Sequence, residues 1–430
     1  MTASYPSPET ISRAELPNGV TLLVSENDDS PAVVLSGYLW AGSLGEAPEQ
    51  AGLANLTAAM LLRGTETRSF GQINQALESV GAQLGFRGGV HTAGFGAKAL
   101  AEDLDLLLDI LADCLRRPAF PPDETDRLRG QILTDLQRRA HDTGRMADLA
   151  FNALLYPDHP YGRSVQGYEG TVSALSRNDV AGFYRRCYSP QGMVIVLVGA
   201  VQAAAALDKV QAVLGDWHVP EVTPNRAAIA SPAPLTGTRS QAVIVEGKTQ
   251  ADVMLGWLGM TRADPDYIKA GLANNILGVF GMMGRLGDNL RDRQGLAYYV
   301  YSRLEAGLGA GPWAAVAGVS PANVRRTVDG IRAEVRRLRQ EPVSAEDLAN
   351  SQLSLTGSLP LRLETNEGVA GALLDMERYG LGLDYLQRYA GLINAVTVQQ
   401  IQEVAYKYLD PDLYALAVAG PDLAGHESGV

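Results

Sequence analysis

The sequence contains few residues whose types and spacing suit a catalytic or metal site. None of its five histidines lies four residues from another, and none neighbours a second ligand at metal spacing. There is no GxSxG elbow, no P-loop and no GxGxxG opening a helix after a strand. His159 lies in the loop YPDHPYGR, where a structural, hydrogen-bonded histidine is favoured over a ligand. Motif reading alone therefore predicts no catalytic constellation.

The stretch AGLANLTAAMLLRGT, residues 51–65, predicts a helix that ends in a turn. Between Gly52 and Met60, Asn55 is the one residue that carries much chemistry. Ala58 and Ala59 follow one turn further along. The pattern predicts a helix that lacks the reactive side chains of a catalytic or metal site.

A second segment, LGVFGMMGRLG, is rich in glycine and holds Gly278, Gly281 and Gly284. No Lys-Ser/Thr pair follows it, which argues against phosphate binding. The segment is interpreted first as a helix-to-helix turn. The alternative is a flexible apolar contact formed by Met282 and Met283.

The overall charge excludes some classes of partner. The formal net charge of the 430 residues is −12, so neither nucleic acid nor an anionic membrane is expected as the main partner. No window approaches the run of about 18 apolar residues of a membrane span, and the N-terminal residues do not resemble a signal peptide. Cys114 and Cys187 suggest no disulfide framework. A cytoplasmic protein is expected.

Two pairs of matching segments indicate an internal repeat. AGLAN occurs at residues 51–55 and again at 270–274, an offset of 219. Near the end of each half, a proline is followed nine residues later by the glycine that closes an apolar run. These segments are 190–199 and 411–420, offset by 221. Two distant matches with nearly one offset predict a tandem duplication of a unit of about 200 residues.

The elements of each repeat predict the fold class. Strand-like runs rich in β-branched and aromatic residues alternate with amphipathic helical segments in a similar order in both halves. We predict an α+β fold of two tandem homologous sandwich domains, each a mixed, mostly antiparallel sheet packed against helices on one side. The N-terminal domain is assigned to residues 1–218, a Pro-rich linker to 219–238, and the C-terminal domain to 239–430.

Five stretches in order resemble one family over nearly the whole chain. They are LPNGVTLLVSEN, GLANLTAAMLLRGT, HPYGRSVQGYEGTVSALSRNDVAGFYRRCYSPQGMVIVLVGAV, GRLGDNLRDRQGLAYYVYS and VTVQQIQEVAYKYLDPD. The chain resembles the insulinase/pitrilysin zinc peptidases, in the short branch that includes the mitochondrial processing peptidase subunits.

The resemblance implies a zinc helix that has lost its ligands here. Active members carry His-x-x-Glu-His on this helix, with two imidazoles on one face and a glutamate beside them as general base. The matching residues here are Asn55, Ala58 and Ala59, and the position of the third ligand falls on Asp135. The chain is therefore expected to bind no zinc and to hydrolyse no peptide by itself.

The resemblance also implies a possible contribution from the second half. Active assemblies use an Arg and a Tyr seven residues apart to position substrate and polarise the scissile carbonyl, and Arg291 and Tyr298 have that spacing. The alternative is an ordinary helix arginine and a half-buried strand tyrosine. Arg293 and Tyr299 are neighbours that fit the spacing less well.

Three functions follow from this resemblance. The first is a non-catalytic subunit that binds and orients peptide beside a zinc-bearing paralogue. The second is a zinc-free structural protein of the same fold. The third is a peptide-binding homodimer that does not cleave its ligand.

Overall fold

The computed structural model describes residues 5–219, 222 and 230–422. The chain forms two compact units, and each takes segments from both halves of the sequence. As far as it is described, the first comprises Met1–Leu136, Ser164–Ala228 and Pro360–Gln387. The second comprises Gln137–Arg163, Ile229–Leu359 and Arg388–Val430. The predicted boundaries at residues 218 and 239 stay a prediction about the repeats. Part of the predicted linker, residues 220–221 and 223–229, lies outside the described residues.

The first half of the chain alternates strands with helices. Its elements are β1 (Ile11–Glu15), β2 (Thr21–Glu26), β3 (Ala32–Leu39), α1 (Leu53–Met60), α2 (Phe70–Ser79), β4 (Gln83–Gly88), β5 (Ala93–Leu100), α3 (Leu104–Arg116), α4 (Pro122–Ala140), α5 (Thr143–Leu155), α6 (Glu169–Ala174), α7 (Arg177–Cys187), β6 (Val194–Gly199) and α8 (Ala203–Leu214).

The second half has nearly the same series of elements. They are β7 (Arg239–Ile244), β8 (Ala251–Leu258), α9 (Tyr267–Gly278), α10 (Phe280–Leu286), a π-helical stretch (Gly287–Arg293), β9 (Ala297–Leu304), β10 (Pro312–Val319), α11 (Val324–Gln340), α12 (Ala345–Arg362), α13 (Asn366–Tyr379), α14 (Tyr385–Asn394), α15 (Val398–Tyr408) and β11 (Ala415–Gly420).

The two sheets have the same topology. The first has the strand order β1-β2-β6-β3-β5-β4, and the second has β7-β11-β8-β10-β9. In both, one parallel pair (β2/β6 and β7/β11) lies beside antiparallel pairs. Leaving β1 aside, each strand of one sheet has a counterpart at the same place in the other. The predicted α+β fold of two homologous domains is confirmed.

Local capping signals also repeat. Ser176 and Asp179 form a capping box at the start of α7, and Thr397 and Gln400 form one at the start of α15. In each box the hydroxyl of the cap residue accepts a hydrogen bond from the backbone N–H of the residue three positions later. The side chain of that later residue accepts a hydrogen bond from the backbone N–H of the cap residue. The two boxes are 221 residues apart, the offset found from the sequence.

The halves exchange one helix each. Helix α5, from the first half, buries Ala147 and Phe151 against Met254 and alternate residues of β10 and β11. Helix α13, from the second half, covers β3 and β6. Each sheet therefore has a helix from the other half on the face opposite its own helices. The prediction that helices cover each sheet on one side only is therefore wrong, because the helix on the second face comes from the other half of the chain.

Polar contacts position the exchanged helices. The guanidinium of Arg13 on β1 donates to both carboxylate oxygens of Glu377 on α13, at 2.8 and 3.0 Å. The carboxylate of Asp252, buried on β8, accepts hydrogen bonds from Thr143 at the start of α5 and from Tyr299 on β9. Charge-assisted hydrogen bonds of this kind are directional, so they orient each helix on its sheet.

Candidate functional site

The start of helix α1 is held by buried groups. The carboxylate of Glu46, 8% exposed, accepts hydrogen bonds from the backbone N–H groups of Gly52 (3.2 Å) and Ala54. Gly52 has φ +102°, and a Cβ there would lie 2.9 Å from Cγ2 of Val172. A carboxylate at a helix N-terminus satisfies free amides and interacts favourably with the helix dipole. Sequence reasoning missed Glu46, because it lies seven residues before Leu53, outside the cap and first-turn positions that signal a helix start.

The three zinc-motif positions lie on helix α1. Asn55 and Ala59 are partly buried and share one face, while Ala58 is fully buried in the core of the first unit. Strand β4 packs closely against the same turn, since a Cβ on Gly88 would lie 2.6 Å from the Cα of Asn55. One carboxamide and two methyl groups do not fit zinc, which requires imidazole, thiolate or carboxylate donors.

Asp135 does not complete a metal site. It is exposed on α4, one helical turn beyond Gln131, whose side chain accepts a hydrogen bond from Arg63 at 2.9 Å. Within the ranges that the structure describes, no group of three or more His, Cys, Asp or Glu side chains is arranged to hold a metal ion.

The repeated AGLAN asparagine has a structural role in the second unit. Asn274 is 9% exposed, and its Oδ1 accepts a hydrogen bond from Nε1 of Trp313 at 3.0 Å. Asn55, its counterpart, has no such partner among the described residues. The asparagine is thus retained in both helices but is used for packing in only one.

Arg291 lies in the π-helical stretch of the second unit. Its guanidinium Nη1 is 3.8 Å from the sulfur of Met282 and 4.0 Å from a carboxylate oxygen of Asp292, and its side chain is 32% exposed. Neither contact is a close ion pair, so the guanidinium keeps donors available for a ligand. π-Helical turns are rare and frequently occur at functional sites.

Tyr298 lies at an irregularity of the edge strand β9. Gly318 pairs with Tyr299 and the next residue, Val319, pairs with Ala297, which leaves Tyr298 as an extra residue in the strand. A β-bulge of this kind redirects a side chain and is common beside active sites. The ring of Tyr298 is 62% exposed. It therefore differs from the half-buried strand tyrosine of the alternative interpretation.

Arg293 and Tyr299, which lie close to Arg291 and Tyr298 in the sequence, have partners of their own. Arg293 forms an ion pair with Asp288 at 2.7 Å. The hydroxyl of Tyr299 donates to Asp252, and burial together with this carboxylate raises the pKa of Tyr299. Arg293 and Tyr299 thus each have a close carboxylate partner, whereas Arg291 has no close ion pair and Tyr298 is exposed.

The histidine and glycine segments have structural roles. The ring of His159 accepts a hydrogen bond from the N–H of Tyr161 through Nδ1 at 3.1 Å, and its Nε2 is 3.0 Å from the carbonyl oxygen of Ala230. The prediction of a structural histidine is confirmed. Gly278 ends α9 and α10 begins at Phe280, so the glycine-rich segment joins two helices. Met282 on α10 is 62% exposed.

None of the helices in the described residues combines the length and apolar composition needed to cross a membrane.

Two models of one peptidase family match the chain. Residues 22–167 match the model described as insulinase (peptidase family M16), and residues 174–355 match the peptidase M16 inactive domain. An uncharacterized zinc protease of Streptomyces coelicolor is 28% identical over 85% of this chain and 79% of its own length. A probable mitochondrial-processing peptidase subunit beta of Arabidopsis thaliana is 24% identical over 94% of this chain and 77% of its own length.

Two solved structures have the same fold as this chain. A peptidase M16 inactive domain from Pseudomonas fluorescens superposes with a TM-score of 0.87 at 26% identity and covers 96% of this chain and 98% of its own. A protease from Helicobacter pylori reaches 0.89 at 18% identity, over 96% and 99% of the two chains, which shows the fold alone. With both repeats matched by M16 models and the fold shared along almost its whole length, this chain belongs to peptidase family M16, the insulinase family.

Proposed function

We propose that this chain is a non-catalytic subunit of a heterodimeric zinc metallopeptidase, which helps a zinc-bearing paralogue to bind and orient peptide substrate. The observation that carries this proposal is helix α1. Glu46 and Gly52 hold it in place, yet Asn55, Ala58 and Ala59 occupy the ligand positions.

Within this proposal, Arg291 and Tyr298 are the substrate-binding residues of the chain. A guanidinium and a phenol are both hydrogen-bond donors, and a peptide carbonyl oxygen is an acceptor. Donors that are already in position stabilise the charge that develops on this oxygen during hydrolysis. Tyr298 is accessible at its bulge, and Arg291 has no close ion pair, so both donors are available to a peptide.

Kinetics of a co-expressed complex test the pair. The chain is produced with its zinc-bearing paralogue, and cleavage of an unstructured peptide is measured. We expect Arg291→Ala and Tyr298→Phe each to lower kcat/KM by about a hundredfold, as removal of one oxyanion donor does elsewhere. The effect should lie mainly in kcat if the donors act on the transition state.

Two neighbouring variants serve as matched controls. Arg293→Ala removes an exposed arginine of the same π-helical stretch, and Tyr301→Phe removes a hydroxyl from the same strand. Both should leave kcat/KM within about twofold of the wild type. Unchanged activity in the Arg291 and Tyr298 variants would disprove their proposed role, whatever the controls show.

The alternative is a zinc-free structural or peptide-binding protein of the same fold. It is favoured by the absence of fitting zinc ligands at residues 55, 58 and 59. It predicts a stable chain with no peptidase activity beside any paralogue, or peptide affinity without a partner.

A cytoplasmic location belongs to the main proposal, since the two cysteines are free thiols.

A further inference from the structure

Glu334 is a buried acid on helix α11 of the second unit. The residue is 4% exposed, and its Oε1 accepts a hydrogen bond from the side-chain amide of Asn289 at 2.6 Å. No hydrogen bond within the described residues reaches its Oε2, and the guanidinium of Arg337 lies 3.9 Å from that oxygen. A buried carboxylate is costly unless its oxygens are hydrogen-bonded. Stability alone therefore does not account for an acid at this position.

Asp113 in the first unit shows how a buried acid is satisfied when it stabilises the fold. On helix α3, its carboxylate accepts hydrogen bonds from two threonines at 2.6 Å and pairs with Arg68 and Arg117, both at 2.9 Å. Among the described residues, Glu334 has one hydrogen bond and one distant cation in place of these contacts. Because it gains less from its partners, its single hydrogen bond to Asn289 is the contact that needs an explanation.

Asn289 belongs to the π-helical stretch that carries Arg291. Its side-chain oxygen accepts a hydrogen bond from the side-chain amide of Gln294 at 2.8 Å, so Glu334, Asn289 and Gln294 form a chain. The backbone N–H of Gln294 also donates to the carbonyl oxygen of Asn289, at 3.1 Å. The two amide residues of this chain lie on either side of Arg291 in the sequence, and they are joined to each other through side chain and backbone.

A second contact joins the same stretch to α11. Leu290 is fully buried and lies against Gly330, where a Cβ would be 2.2 Å from the leucine Cδ2. Gly330 and Glu334 are four residues apart and share one face of α11. That face therefore receives Leu290 through packing and Asn289 through a hydrogen bond, and Arg291 follows directly after them.

We propose that Glu334 is a positioning residue, which fixes Asn289 and thereby holds Arg291 in the orientation that binds peptide. The inference rests on the proposed function, since it needs Arg291 to contact the substrate. The packing of Leu290 keeps the π-helical stretch against α11, and the charge-assisted hydrogen bond to Glu334 orients the stretch, because such bonds are directional. The guanidinium of Arg291 has no close ion pair to orient it. Its direction therefore depends on the backbone that carries it.

Kinetics of the complex with the zinc-bearing paralogue test the role of Glu334. Glu334→Leu fills a similar volume but removes the acceptor. We expect kcat to fall about tenfold, because a small misplacement of a substrate-positioning group costs activity, while KM stays within about twofold. Glu334→Gln keeps an acceptor oxygen and should hold kcat within about threefold of the wild type. Asp329→Asn, at an exposed acid of the same helix, is the matched control and should change neither constant.

A double-mutant cycle with Arg291 separates positioning from a general structural effect. In the Arg291→Ala background, Glu334→Leu has no guanidinium left to position, so it should lower kcat less than about twofold further. An equal loss in both backgrounds would overturn the inference. A loss in Arg291→Ala with none in Glu334→Leu would also overturn it and would leave the proposed function intact. If Arg291→Ala itself loses no activity, the proposed function fails, and this inference fails with it.

Amide hydrogen exchange of the chain without its paralogue provides an independent test. The backbone N–H groups of Gln294, Gly295 and Leu296 donate to carbonyl oxygens of the π-helical stretch at 3.1, 3.1 and 2.8 Å. We expect Glu334→Leu to raise the exchange rate of these three amides at least about tenfold, because the stretch opens more readily without its anchor. Asp329→Asn should leave the rate unchanged. Unchanged exchange in Glu334→Leu would show that Glu334 does not hold the stretch.

A variant on the other side of the hydrogen bond keeps the test decisive if Glu334→Leu does not fold. Asn289→Ala removes the same hydrogen bond at a partly exposed position, and it should lower kcat and raise amide exchange as Glu334→Leu does. Wild-type kcat in Asn289→Ala would overturn the inference, as would a Glu334→Gln variant as impaired as Glu334→Leu. Circular dichroism confirms that each variant is folded before it is compared.

Discussion

At the scale of the residue, two buried carboxylates hold the ends of the α1 segment. Glu46 accepts hydrogen bonds at its start. Asp113, fully buried on α3, accepts hydrogen bonds from Thr65 and Thr67 just after its end, both at 2.6 Å, and forms an ion pair with Arg68. Burial by itself would raise the pKa of Asp113, but these hydrogen bonds outweigh it and hold the pKa below its usual range. The charged form is therefore part of the native fold.

The pKa of Asp113 gives a prediction about pH. A carboxyl whose pKa is depressed by folding stabilises the protein above its unfolded pKa of about 4, and this contribution is lost as pH falls through the folded pKa. Asp113→Asn should lower the free energy of unfolding by about 2 kcal/mol at pH 7. The difference from the wild type should shrink below about pH 4 in urea titrations.

Asp109→Asn is the control for this prediction. Asp109 pairs with the same Arg68 but is 50% exposed, so its loss should cost less than about 1 kcal/mol at any pH. A difference between Asp113→Asn and the wild type that stays constant from pH 7 to pH 3 would contradict the assignment of a depressed pKa.

The zinc-motif positions give a second prediction at this scale. Since Asn55, Ala58 and Ala59 supply one carboxamide and two methyl groups, we expect the purified chain to contain far less than one zinc ion. Elemental analysis after growth in zinc-replete medium measures this, with the zinc-bearing paralogue as the positive control. Stoichiometric zinc in this chain would contradict the proposed division of roles.

At the scale of the element, helix α1 and strand β4 approach each other too closely for a side chain at the contact. A Cβ on Gly88 would lie 2.6 Å from the Cα of Asn55, whereas one on Gly85 of the same strand would meet nothing within 4 Å. Backbone-to-backbone packing of this kind allows no relaxation by a rotamer change. The position of α1 therefore depends on a glycine in a different element.

This contact predicts unequal effects of two alanines. Gly88→Ala should destabilise the protein by about 2 kcal/mol or shift α1 away from β4. Gly85→Ala is the matched control and should change stability by less than about 0.5 kcal/mol. Thermal unfolding of both variants tests this, and equal melting temperatures would show that α1 does not depend on the close approach.

The sequence predicted the elements better than their pairing. Alternating and β-branched runs indicated the strands, and two repeated motifs indicated the duplication. Both signals can be read from short stretches of sequence without knowing which stretches are in contact. The exchange of α5 and α13 was not predictable, since it joins residues as distant as Arg13 and Glu377, which no local periodicity relates. The bulge at Tyr298 was also missed, because it depends on the register of β9 against β10. The roles of Arg291 and Tyr298 stay predictions.

At the scale of the whole molecule, each unit depends on a helix from the other half of the chain. Without α13, the first sheet loses the helix on β3 and β6. Without α5, the second loses the cover over Met254, Val316 and the alanines of β11. A sheet with one bare apolar face lacks a large part of its core and is prone to aggregate.

Dividing the chain between the repeats tests this dependence. The fragments 1–229 and 230–430 separate each exchanged helix from the sheet that it covers. In isolation, we expect each fragment to bind a hydrophobic dye and to unfold without a cooperative transition. Co-expressed, the two fragments should form a soluble complex whose cooperative melting resembles that of the intact chain. A fragment that melts cooperatively by itself would show that the exchange is dispensable.

The exchanged helices also have a consequence for the history of the chain. An ordinary tandem duplication can be reversed, because either copy remains a complete domain when the other is deleted. Here the backbone passes between the units five times, and each repeat encodes a layer of its neighbour. Selection acting on one sheet therefore acts on codons of the other repeat, so the two copies must evolve together. Once this exchange was established, neither repeat could be lost without destroying both.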